Sequence, residues 1–93
     1  MVVLLVQSVK PSLRGEITRW MLEVQPGVFV GTMSAMVRDR LWAKVIRAVG
    51  DGGALRIYSS NTEQGFALEQ YGKTRYQLED FDGLVLVKRP ETE

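Results

Sequence analysis

The chain has 93 residues, 45% hydrophobic and 25% charged, with a net charge of +1, which is the make-up of one globular domain whose single core leaves it marginally stable alone. It contains no cysteine and no histidine, which removes disulfides, thiolate and imidazole zinc ligands, catalytic triads and imidazole acid–base chemistry. The charge is uneven: residues 1–50 carry seven Lys/Arg against three Asp/Glu, and residues 51–93 carry five against eight, so one surface suits a polyanion and a different one suits a protein.

Val2 to Val6 is a continuous apolar run too short for a helix, and it reads as a central strand buried on both faces. The MVVLLV start lacks a basic flank and a small-residue cleavage site, so it is neither signal peptide nor membrane span, and a cytoplasmic location is expected. Pro11 and Ser12 open a helix with Ser12 as N-cap. Leu13, Ile17, Met21 and Val24 recur at spacings of four, four and three on one face, which Trp20 widens. Pro26 ends that helix, and Pro26-Gly27 suits a type II turn with Gly27 supplying the positive φ. Val28 to Val30 faces Val24 across it as a short hairpin.

Ser34 caps a second helix that runs to Val49, with Val37, Leu41, Val45 and Ala48 inward, and Gly50-Asp51-Gly52-Gly53 stops it. Ala54 to Tyr58 and Phe66 to Tyr71 read as strands. The polar stretch YGKTRYQLEDFDG separates them from a last strand, Leu84 to Val87, and a frayed tail. With right-handed crossovers this order gives an α+β, ferredoxin-like sandwich (split βαβ): two helices on an antiparallel sheet, plus a C-terminal strand extension. Residues 1–79 are the core domain and 80–93 the C-terminal strand and tail. That fold hosts many functions, so function has to come from sites.

At the first strand–helix corner, free amides and a positive dipole end stand beside Lys10 and Arg14, a combination that holds phosphate, although solvated cations at a routine corner read equally well. On the second helix Arg40, Lys44 and Arg47 form a basic stripe, more often a solvated face than a site. Lys73 and Arg75 lie beside Tyr71 and Tyr76, a cation–aromatic mixture that nucleic-acid surfaces use. Metal-assisted phosphodiester cleavage needs clustered carboxylates, but the first strand ends in Gln7 and Ser8. Glu79, Asp80 and Asp82 read as a protein-binding or solvated acidic loop. No nucleophile–base pair or glycine-rich phosphate loop is present, and the DGG at 51–53 is a helix stop.

PSLRG (11–15), W-x-LEV (20–24), GVFVG (27–31), SA at 34–35 with Arg38 and Trp42, NTE-x-GF (61–66), YG (71–72) and DFDGL-x-LV (80–87) occur in one order and spacing. On these stretches the chain resembles the CRISPR-associated Cas-two family, in its subtype I-E branch, over nearly its full length. The resemblance implies a symmetric homodimer held between two dimers of the CRISPR integrase, Cas-one, which helps capture short foreign DNA. Basic residues of such dimers contact the phosphates of double-stranded DNA, and the C-terminal segment docks on the integrase. Carried over, the DNA-contacting arginines fall on Arg14 and Arg75. Ser12 and Tyr76 stand where relatives have further basic residues, with Lys10 and Lys73 expected to compensate.

Leu84, Val85, Leu86 and Val87 are expected to add a strand to another chain. Many members of the family are described as metal-dependent endonucleases using an aspartate at the end of the first strand, and I-E relatives can have a glutamate nearby. Gln7 stands there, and a neutral amide brings no charge and cannot act as a base. The expected role is therefore a non-catalytic adapter with no catalytic or metal-binding residue, no cofactor and no membrane contact. A Mg²⁺-dependent endonuclease acting on RNA or DNA is the competing reading.

Overall fold

The computed structural model describes residues 1–73 and the strand backbones of 77–81 and 84–88. Branched and leucine side chains extend Val2–Gln7 into β1, followed by α1 (Pro11–Ile17), β2 (Leu22–Gln25), β3 (Val28–Gly31), α2 (Ala35–Ala48), β4 (Gly53–Ser59) and β5 (Phe66–Gly72). These strands form one antiparallel sheet in the order β2-β3-β1-β4-β5. β1 is central, paired from Val2↔Gly31 to Leu5↔Val28 on one side and from Val2↔Tyr58 to Gln7↔Gly53 on the other. The architecture is α+β and ferredoxin-like. No helix among the described residues is long and apolar enough to cross a membrane.

Both helices pack on one face of the sheet. Val2, Leu4 and Val6 of β1 and Phe29 of β3 join Leu13 and Ile17 of α1 and Leu41, Val45 and Val49 from α2 and its cap in one core. Burying each such side chain contributes about 2 kcal/mol. β1 is consequently not buried on both faces, as its unbroken apolar run suggested. Val3 and Leu5 are half-exposed on the helix-free side, in register with Val30 and Val28.

The first helix is shorter than its apolar spacing predicts. Regular α1 ends at Ile17, and residues 22–25 form strand rather than helix. Met21 N still donates to Ile17 O at 3.0 Å, so the helical path carries Met21 into the core. There the chain turns outward: Trp20 is 50% exposed and Val24 is exposed on β2, so neither joins the inward face. Pairing Leu22 with Val30 and Glu23 with Phe29 outcompetes one more helical turn.

Pro26-Gly27 makes the turn as expected, with Gly27 at φ 80° and its carbonyl accepting from Val6 N at 2.9 Å. α2 begins as read, Ser34 Oγ accepting from Val37 N at 3.2 Å, and Val49 is its C-cap. A strand absent from the sequence reading, β6 (Gln77–Phe81), pairs with β7 (Leu84–Lys88) in a separate two-stranded sheet.

Candidate nucleic-acid interface

Three strand ends meet where β1 stops. Gln7 pairs with Gly53 at the start of β4, and Gly53 pairs with Gly72 at the end of β5. The backbones lie so close that a Cβ on Gly52 would run into the carbonyls of Gln7 and Ser8, one on Gly53 into Lys73, and one on Gly72 into Gly52. Lys73 N donates to Gly52 O at 3.2 Å, which ties the exit of β5 to the junction. Ser8 leaves β1 at φ 57°, a left-handed conformation unusual for a residue with a side chain. Gly52 and Gly53, read from sequence as a helix stop, are thus positions where only glycine fits.

From this junction two cations emerge. Lys10 is the N-cap of α1, with extended backbone and no side-chain cap, and Pro11 occupies the first helical position, where its fixed φ and missing N–H cost nothing. Ser12 is therefore not the cap: it lies inside the helix, one residue beyond Pro11. Lys10 and Lys73 are both exposed at this end of the sheet. Gln7 is half-buried beside them.

Arg14 is placed differently from the solvated cation that the sequence suggests. Its Nε and Nη2 donate to one carboxylate oxygen of Glu23, at 3.2 and 2.6 Å, and that oxygen also accepts Gly27 N at 2.9 Å. The Gly27 amide first, and then Arg14, hold the Glu23 carboxyl below the usual range. Arg14 is thus a strut from α1 to the β2–β3 turn, and its Nη1 makes no hydrogen bond among the described residues.

Arg75 and Tyr76 lie outside the described residues, as do the side chains of Leu84, Val85, Leu86 and Val87, whose backbone runs in β7. On α2, Arg40, Lys44 and Arg47 are all exposed, and Lys44 Nζ reaches Glu16 Oε2 on α1 at 3.0 Å.

A second cluster escaped the sequence reading. Arg56 of β4, 7% exposed, donates through Nε to Glu69 Oε1 at 2.6 Å and through Nη1 to Asp39 Oδ1 at 2.9 Å. Its guanidinium lies 5.0 Å from the Trp42 ring centre and 4.8 Å from that of Tyr58, and Arg38 stacks on Tyr58 at 3.8 Å. Arg38 and then Arg56 depress the Asp39 carboxyl. Every partner of Arg56 is satisfied within the fold, so the cluster fastens α2 to β4 and β5. The signal for it was an arginine at an inward position of an otherwise apolar strand, one that can stay buried only if paired.

A hard divalent cation needs several oxygen ligands carrying neutralising charge. The end of β1 offers an amide, and among the described residues no three Asp, Glu, His or Cys side chains gather. The residues at this strand end do not fit such an ion. What the junction offers is cations on a bare backbone, next to the PSLRG and YG stretches. The profile of the family described as CRISPR-associated protein (Cas_Cas2CT1978) matches residues 1–86, and the chain belongs to that CRISPR-associated Cas2 family.

Proposed function

We propose that this chain works in CRISPR spacer acquisition, in a subtype I-E setting, as a homodimeric, non-catalytic adapter that holds duplex DNA by its phosphates and scaffolds the Cas-one integrase. The observation that carries this reading is the glycine junction, at whose end of the sheet Lys10 and Lys73 are both exposed while Gln7 sits where cutting would require an acid. Arg14, oriented by Glu23, and Arg75, two positions after Lys73 in the chain, complete the proposed set. Phosphate contacts of this kind position a duplex without reading its sequence.

The helix-free face of the sheet supports the dimer. Val3, Leu5, Val28, Val30, Ile57 and Leu68 lie on it, half-exposed and in register, with Leu22 67% exposed beside Val30. An apolar sheet surface of that extent is what a second copy would cover. Leu84, Val85, Leu86 and Val87 are proposed to dock on the integrase.

Duplex binding measured over a range of salt concentrations tests the reading. The Lys10→Ala/Lys73→Ala pair should lower the log–log salt slope by about 2, since each phosphate contact contributes about 0.9. An unchanged slope would overturn it. Deleting residues 80–93 should abolish integrase pull-down while leaving the dimer folded. Incubated with labelled RNA or DNA and Mg²⁺, the pure protein should leave both intact, and cleavage that vanishes on altering Gln7 would restore the endonuclease reading.

A further inference from the structure

A second basic surface runs along α2 and meets the strand-end junction at Lys10. Two adjoining grooves run along α2. One, of about 550 Å³, lies between the helices and is lined by Lys10, Glu16, Lys44 and Arg47 among others. Its neighbour, of about 440 Å³, has Trp20 as a wall, Leu41 in its floor, and Arg40, Lys44 and Arg47 along the rim. Lys44 and Arg47 line both grooves, so the two form one channel.

The charge of this channel is poorly balanced. Glu16 lines the first groove and is engaged by Lys44 at 3.0 Å and Arg19 at 3.8 Å, whereas Lys10, Arg40 and Arg47 have no carboxylate partner among the described residues. No acid lines the Trp20 groove. Arg40 and Arg47 are separated along the helix axis by about 10.5 Å, at about 1.5 Å per residue, so their long side chains can reach different phosphates of one extended strand. Trp20, half-exposed on the turn after α1, gives up the burial its size would ordinarily gain and lines the same groove as Arg40 and Arg47.

We infer that this channel binds an unpaired nucleic-acid strand, with a base stacked on Trp20 and phosphates of the same strand on Arg40 and Arg47. The pairing of a stacking surface with a cationic track is what sequence-indifferent single-strand binding requires, and a duplex has no splayed base to offer the ring. The stacking site lies on the helical layer; the channel shares Lys10 with the proposed duplex surface, but Trp20, Arg40 and Arg47 belong to the channel alone, so variants at those three can fail or succeed without the duplex reading.

The test uses the intact protein and a short oligothymidylate. Binding should quench tryptophan fluorescence. Trp20→Leu should abolish most of the quenching and weaken binding about tenfold, and Trp20→Phe, which keeps a ring, should restore affinity. Trp42, packed against Arg56, should contribute little to the signal. The Arg40→Gln/Arg47→Gln pair should lower the single-strand salt slope by about 1.4, at about 0.7 per phosphate. A blunt duplex of equal length should bind the Trp20→Leu protein as well as the wild type. Unchanged oligothymidylate affinity in both Trp20→Leu and the arginine pair would overturn the inference. So would quenching by an acidic amphipathic peptide at concentrations where the oligonucleotide gives none, which would assign the channel to a protein partner.

Discussion

Glu23 collects its contacts on a single oxygen, from the Gly27 amide and the Arg14 guanidinium, so the folded chain favours its ionised form. A carboxyl depressed on folding contributes stability that is present above its unfolded pKa, about 4.3, and is lost as pH falls through the folded value. Thermal melts from pH 7 down to pH 3 should therefore show a stability loss beginning near pH 4 that is smaller in Glu23→Gln; identical acid limbs would refute the assignment. At Arg56, truncation removes two ion pairs and the packing on Trp42 and Tyr58. Asp39 and Glu69, half-exposed, can rehydrate. Arg56→Ala should cost about 2–3 kcal/mol in urea unfolding. The sequence showed Arg14 and Arg56 as cations but not their partners, because Glu69 reaches Arg56 only through the β4–β5 register and Glu23 reaches Arg14 only through the packing of α1 beside β2.

At the level of elements, glycines that look alike in sequence differ in what surrounds them. Gly15 lies within α1 with nothing near its absent Cβ, so Gly15→Ala should stabilise the protein by about 0.5–1 kcal/mol. Gly52→Ala should destabilise it by about 2–4 kcal/mol, because the new methyl meets the backbone of Gln7 and Ser8, which has no side chain that can yield. Denaturation midpoints of the two variants, shifting in opposite directions, check this. α2, β4 and β5 were legible because cap, apolar period and alternation agree. The α1–β2 boundary was not, because Leu13, Ile17 and Met21 satisfy a helical period that the chain follows only until Leu22 finds Val30 across the turn. β6 was hidden by Glu79 and Asp80, poor strand formers, although Asp82-Gly83 between two such runs is a hairpin signal.

For the whole molecule, the distribution of charge in the sequence showed that residues 1–50 are basic, but not that cations gather both at a strand-end junction, where Lys73 comes from the other half, and along a helical channel. That division depends on which helix face turns outward. The bare side of the sheet makes a separate claim on assembly: Val30→Glu, placed between Val3 and Leu22 in register, should convert the proposed dimer to a monomer by light scattering while leaving the far-UV circular dichroism unchanged. A folded dimer in that variant would place the contact between copies elsewhere. The central position of β1 also bears on how the molecule is made. β1 leaves the ribosome before either of its neighbours and must wait for Val28–Gly31 to cover one edge and for Gly53–Ser59 to cover the other. An unfinished polypeptide therefore trails an open, water-averse ribbon through much of its synthesis. Stalled before release, with Gly53–Ser59 still inside the ribosome, the chain should expose that ribbon to chaperones; once released and folded it should not.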